Sequence, residues 1–147
     1  MCRITRYICL IKEEAHNYAV TNILNTPENV YNYLCADFKL NQRPEEHFLE
    51  IFINTKGKAI GYIVISKGTI KESLVHPREV FKAAVLANAY AIIIAHNHPS
   101  GEIIPSEEDK KITQRLKEAG DILGIPVIDH IIVGDNKYFS FKEHSYL

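Results

Sequence analysis

Two histidines, a serine and an aspartate stand in "HNHPSGEIIPSEED", which runs from His96 to Asp109 directly after the apolar run "AIIIA". The order is His-x-His, seven residues, then Ser-x-x-Asp. Alternate side chains of an extended chain leave the same side, so His96 and His98 point together. Neutral imidazole is the commonest protein ligand for zinc, and two rings on one side can share an ion. A third ligand is needed, and Asp109 is the natural candidate, because Pro99, Gly101 and Pro105 suit a loop that folds back. Three protein ligands leave the fourth position of zinc to water, the arrangement of a catalytic rather than a structural site. Ser106-Glu107-Glu108-Asp109 also has the spacing of a helix capping box with Ser106 as N-cap. The two readings are compatible, since a serine at a helix start can cap and still face a cavity.

The elements around this stretch have to bring its residues together. "YAIIIAH" is short and continuously apolar, the pattern of a strand covered on both sides. The helix that Ser106 begins carries Ile112, Leu116, Ala119 and Leu123 at helical spacing and closes at Gly124. Upstream, Thr26, Pro27 and Glu28 open a helix whose Val30, Tyr33, Leu34 and Phe38 form one apolar side. "EEHFLEIFIN" reads as a strand with apolar residues on both faces, and Asn54 to Lys58 turns it into the return strand "KAIGYIVIS". "VHPREVFKAAVLANA" is a helix with Pro77 near its start and Val80, Phe81, Ala84, Val85 and Leu86 on its apolar face. "PVIDHIIVG" and "KYFSF" form a last hairpin across Gly134, Asp135 and Asn136, and Arg3 to Lys12 read as a first strand. Helices alternating with strands and hairpins predict an α/β fold, a mixed sheet flanked by helices and built as a sandwich.

Composition narrows the class. The chain has 147 residues, 46% hydrophobic and 24% charged, which suits one globular domain over residues 1–147. Its formal net charge of −1 gives no electrostatic footprint for nucleic acid. The three cysteines, Cys2, Cys9 and Cys35, form neither a disulfide framework nor a CxxC knuckle. Free thiols suit a reducing cytoplasm, which is the expected location. No apolar run approaches the ~20 residues of a membrane helix, so no membrane partner is expected.

Some motifs carry less. The adjacent letters of His96-Asn97-His98 do not match the wide spacing of the ββα nucleases known by that string. The H-x-E and P-C-x-x-C pair of zinc deaminases is absent from the sequence. His76 precedes a helix-opening proline, which gives it a simple role in helix entry, and His16, His47 and His144 have no evident partner. Lys110 and Lys111 read as a solvated helix face. Asp129-His130 falls in a strand, where an ordinary sheet position is the simpler reading and a partner role behind a ligand imidazole the alternative.

His96-Asn97-His98-Pro99-Ser100-Gly101 followed by Pro105-Ser106-Glu107-Glu108-Asp109 resembles the RadC branch of the JAMM (MPN+, JAB-domain) metalloproteins. "VHPREVFKAAVLANAYAIIIAHNHPSG" and "RLKEAGDILGIPVIDHIIVGDNKYFSF", including Asp129-His130, resemble it as continuous segments, and the likeness covers about residue 21 to the C-terminus. The resemblance implies a JAB/MPN-type, cytidine-deaminase-like αβα sandwich, with one zinc ion per chain held by His96, His98 and Asp109. It places Ser106 near the metal-bound water and an upstream glutamate in action on that water, within a Glu-x-Phe pattern. Glu46-His47-Phe48 fits that pattern. Glu45 is one residue off and would face the other side, and Glu50 shares the parity of Glu46 but lies deeper in the strand. Longer members carry an N-terminal helix-hairpin-helix module, for which this sequence has no room. The expected activity is zinc-dependent hydrolysis of a peptide, isopeptide or related amide bond, on a peptide or protein-conjugate substrate. The alternative is a zinc-binding interaction module without catalysis, associated with DNA repair or mobile elements.

Overall fold

A computed structural model describes residues 23–68 and 75–147, so the strand expected at Arg3 to Lys12 and His16 lie outside the described residues. The first described helix, α1 (Pro27–Phe38), starts as its sequence dictates. The Thr26 side chain accepts the Asn29 N–H at 3.2 Å, and Pro27 occupies the position where a missing N–H costs nothing. A single 3-10 turn (Leu40–Gln42) leads to strand β1 (His47–Ile53), which turns back into β2 (Ala59–Lys67). Helix α2 (Pro77–Leu86), strand β3 (Ala91–Asn97), helix α3 (Glu107–Leu123), and strands β4 (Val127–Val133) and β5 (Tyr138–Ser140) follow.

The strands form one mixed sheet in the order β2-β1-β3-β4-β5. Among the described strands only β3 and β4 pair in parallel, and α3 is the crossover that a parallel pair requires. Helix α1 covers one face. Val30, Tyr33, Leu34 and Phe38 pack there with Leu49, Ile51, Ile93, Ala95 and Ile131. Helices α2 and α3 cover the other, where Val80, Phe81, Ala84, Ile112 and Leu116 meet Phe48, Phe52, Ile92 and Ile94. The mixed sheet between helices is the α/β sandwich expected, and β3 is buried along its whole length.

Helix periodicity and burial part company at two helix ends. Val85 and Leu86 of α2 are exposed, as is Leu123 of α3, although all three fall on the apolar faces read from sequence. On α3 the buried stripe is Asp109, Ile112, Thr113, Leu116 and Gly120. It begins on an aspartate, a residue that cannot be there for packing.

Strand alternation sets the rest. Phe48 and Phe52 of β1 lie in the layer beneath α2 and α3, so Glu50 between them faces the same layer. Glu50 is fully buried, and neither carboxyl oxygen has a hydrogen-bond partner among the described residues. Burial pushes its carboxyl from an ordinary 4.5 up to about 8. Between those two values the folded protein holds a proton that the unfolded chain has released. Stability should therefore fall as pH rises through this window, by about 1.4 kcal/mol per pH unit at most, and level off above it. Glu50→Leu is expected to remove that slope, gaining more stability at pH 8 than at pH 5 in urea unfolding. Parallel pH profiles for the two proteins would count against a buried, neutral Glu50.

Candidate metal centre

β3 delivers its last residues to opposite faces. His96 pairs with Phe48 across β1 and exits on the α3 side, fully buried and stacked against the Phe48 ring. His98 follows just past the strand, where its N–H bonds the Val133 carbonyl at 3.1 Å. The return loop is pinned at Gly101, whose positive φ of 79° suits glycine and whose carbonyl accepts the Asp135 N–H at 3.3 Å. The loop rests so closely on the β4–β5 turn that a Cβ at Gly134 would stand 2.6 Å from the Ile103 side chain.

Asn97, between the histidines, turns the other way and clamps the entry to β1. Its Oδ1 accepts the His47 N–H at 2.8 Å, and its Nδ2 donates to the carbonyls of Arg43 at 3.2 Å and Glu45 at 3.1 Å. That clamp fixes the backbone on both sides of Glu46. Sequence reading missed this role, although an asparagine at the end of a buried strand is itself a signal that backbone groups need a partner.

Five sequence-derived residues, His96, His98, Asp109, Glu46 and Ser106, converge at the head of α3. His96 Nε2 lies 3.1 Å from His98 Nε2 and 3.2 Å from Asp109 Oδ1, and His98 Nε2 lies 3.6 Å from Asp109 Oδ2. The half-buried Glu46 offers a carboxylate oxygen to the same place, within 4.8 Å of the two imidazole nitrogens, which are themselves within that span. Glu45 is exposed, and Glu50 is buried in the core layer. The capping box at Ser106 is formed in full. Ser106 Oγ accepts the Asp109 N–H at 3.1 Å, and Asp109 Oδ2 accepts from Ser106 N at 2.8 Å and from Ser106 Oγ at 2.7 Å. The serine thus caps the helix and aims the aspartate, and its hydroxyl proton is committed to Asp109. Ser106→Ala should cost the metal-free protein about 1 kcal/mol in urea unfolding. An unchanged midpoint would show that the cap contributes nothing.

Electrostatics follow from these contacts. Burial pushes the Asp109 carboxyl up, but the contacts with His96 and His98 and the hydrogen bonds from Ser106 outweigh it and hold the group well below the usual carboxylate range. The Asp109 contact raises His98, against the opposing effect of burial. His98 Nδ1 sits 2.9 Å from the Glu102 carbonyl, an acceptor only, so Nδ1 carries the proton and the neutral ring turns a bare Nε2 inward. Ligand atoms ~2.0–2.2 Å from a tetrahedral zinc stand about 3.3–3.6 Å apart. The two imidazole nitrogens stand 3.1 Å apart and reach different carboxylate oxygens of Asp109 at 3.2 and 3.6 Å, each close to that spacing, and two nitrogens with a carboxylate are donors zinc accepts. The residues fit the ion.

His130 corrects the simpler reading of its strand. It is fully buried, with Nε2 2.8 Å from His96 Nδ1 and Nδ1 2.6 Å from Thr113 Oγ1. Burial drives its imidazole well below the ordinary value, so the ring is neutral. Asp129 steadies the strand beside it, accepting from the Ser140 hydroxyl and from the His130 and Lys142 N–H groups. The signal for Thr113 was present in sequence as a polar residue one turn after Asp109 on a stripe that is otherwise apolar. The remaining histidines among the described residues have ordinary duties. His76 caps α2, its Nδ1 accepting the Arg78 N–H at 3.2 Å, while the His47 and His144 rings bond backbone carbonyls.

A family model described as a RadC-like JAB domain matches residues 24–146. The chain belongs to the RadC-like JAB family. Among its relatives, UPF0758 protein SH1266 of Staphylococcus haemolyticus is 48% identical over 84% of this chain and 53% of its own length. UPF0758 protein TTE0897 of Caldanaerobacter subterraneus is 45% identical over 93% of this chain and 56% of its own length. A UPF0758 protein of Rubrobacter xylanophilus is 47% identical over 85% of this chain and 54% of its own length. The RadC-like chain spans about half the length of these curated relatives. None of its helices among the described residues is long and apolar enough to cross a membrane.

Proposed function

We propose that the chain is a zinc-dependent hydrolase of the JAMM type, cutting a peptide, isopeptide or related amide bond in the cytoplasm. The observation that carries this reading is the placing of Glu46 beside the His96–His98 pair, from a strand entry that Asn97 clamps. A purely structural zinc site has no use for a further, half-exposed carboxylate. One zinc ion per chain, held by His96, His98 and Asp109, would supply Lewis acidity and lower the pKa of its bound water toward ~7.

The chain's own residues have the remaining work. Glu46 accepts a proton during attack on the amide carbonyl and hands it to the leaving nitrogen, whose departure as an amine requires that proton. Ser106 stands beside Asp109, and its hydroxyl can serve the developing oxyanion only by letting go of Oδ2. Asp109 would then keep the Ser106 backbone N–H at 2.8 Å, so its carboxylate stays oriented while the hydroxyl swings.

The test is amine release. Zinc-loaded protein should liberate new primary amines from members of a panel of peptides and lysine-linked isopeptide conjugates, followed by mass spectrometry. Chelation should stop the release and added zinc restore it. A zinc-replete protein that cleaves nothing in the panel would favour an interaction module that holds the metal without catalysis.

A further inference from the structure

We infer that His130 and Thr113 form a buried hydrogen-bond relay that sets the tautomer of His96 and so presents its Nε2 lone pair to the metal. The inference rests on the metal-site part of the proposed function, not on hydrolysis. Four groups on three elements lie in one chain of contacts. Thr113 Oγ1 is 2.6 Å from the Asp109 carbonyl, His130 Nδ1 is 2.6 Å from Thr113 Oγ1, and His96 Nδ1 is 2.8 Å from His130 Nε2.

The direction of donation follows from counting protons. A hydroxyl has one, and Thr113 gives it to the Asp109 carbonyl, which can only accept. Thr113 therefore accepts from His130, whose Nδ1 must carry a proton. The His130 ring is fully buried, stacked on Phe141 at 4.6 Å between centroids and edge-on to Phe48, and neither ring nitrogen meets a carboxylate among the described residues. A second proton would leave an uncompensated charge in an aromatic layer, so the ring holds one. Its Nε2 is then bare and accepts from His96 Nδ1–H. A neutral His96 with its proton on Nδ1 has none on Nε2, the atom that faces His98 and Asp109.

The opposite polarity connects the same heavy atoms. Thr113 would then donate to His130, His130 to His96, and His96 Nε2 would hold a proton where a ligand must hold a lone pair. The anchor at the Asp109 carbonyl selects against this. It also ties two proposed ligands together, since the relay that orients His96 of β3 ends on the backbone of Asp109 in α3. A buried threonine bonding back one helical turn is common on its own. Here the hydroxyl also receives a histidine whose other nitrogen holds a ligand imidazole, which a packing role does not require. Partners behind ligand imidazoles typically change metal affinity 10–100-fold when removed.

Two variants keep shape while breaking the relay, and two restore it. Thr113→Val removes the acceptor for His130 Nδ1–H, and Thr113→Ser keeps it. His130→Phe suits the aromatic surroundings but offers His96 no acceptor, whereas His130→Gln has a carbonyl for it. Zinc affinity, measured against a chromophoric chelator, should weaken 10–100-fold in Thr113→Val and His130→Phe, and stay within a few-fold of the parent in Thr113→Ser. His130→Gln should bind more tightly than His130→Phe. Nitrogen-15 spectra of the parent should show His130 protonated on Nδ1 and bare on Nε2, a readout that needs no variant to fold. A His130 protonated on Nε2, or unchanged zinc affinity in folded Thr113→Val, would overturn the inference. Neither readout uses turnover. A protein that binds zinc through this relay yet cleaves nothing would end the hydrolase reading and leave the relay standing.

Discussion

His96→Ala and His98→Ala are each expected to abolish zinc binding, from about one ion per chain to none retained through gel filtration. Each removes one of three donors, and the two left cannot complete a tetrahedral site without waters that exchange freely. Asp109 would also lose a contact that now stands 3.2 or 3.6 Å from its carboxylate oxygens. The fold should survive, because His98 is only half-buried and sits past the end of β3. His96 is fully buried, so His98→Ala is the cleaner of the two. His144→Ala serves as a control, since that ring bonds the Ser140 carbonyl and lies outside the cluster. Elemental analysis decides the matter, and full zinc in both histidine variants would remove the site. The pH dependence has a definite sign. The Asp109 contact raises His98 in the metal-free protein, so its proton competes with zinc to a higher pH than for an ordinary histidine. Zinc retention should fall as the solution is acidified through that range.

The candidate metal site was legible because ligation would impose residue type and spacing together. His-x-His at a strand end puts two rings on one side whatever the rest of the fold does, and the Ser-x-x-Asp that follows has to be a helix start. β3 and α3 were legible for the same reason. A continuous apolar run of five residues, Ala91 to Ala95, and a capped, periodic helix each have one cheap solution. What was not legible depends on contacts between distant segments. Asn97 reads as a filler between two histidines until β1 is placed beside β3 and its amide meets the backbone at Arg43, Glu45 and His47. His130 reads as a sheet residue until parallel pairing of β3 with β4 brings it against His96. Thr113 needs both the helix and β4 in place. Val85, Leu86 and Leu123 show the converse error, since periodicity predicts which face is apolar but not how far the sheet extends beneath it.

Glu46→Gln should leave zinc content and unfolding midpoint near those of the parent while turnover falls about 10²–10⁴-fold. The substitution keeps size and most hydrogen bonding but gives a group that cannot take up the proton. Its neighbours make the comparison sharp. Glu45 is exposed in the bend one position earlier, so Glu45→Gln should leave turnover unchanged. Glu50 shares the parity of Glu46, yet it pairs with Ile94 two residues further from the cleft than the Phe48–His96 pair, and its carboxyl is buried without a partner among the described residues. Glu50→Gln should therefore move the pH dependence of stability and not the rate. The position of Glu46 is not set by its own strand alone. Asn97 bonds the residues on either side of it, and the Glu46 carbonyl accepts the Gly68 N–H at 2.8 Å. A residue held in this way by backbone contacts can be substituted without moving the residues proposed to hold the metal. If Glu46→Gln retained full turnover on a substrate whose cleavage requires zinc, the proton acceptor would lie elsewhere. If turnover and zinc were lost together, Glu46 would be a ligand and the role assigned to Asp109 would have to be divided between them.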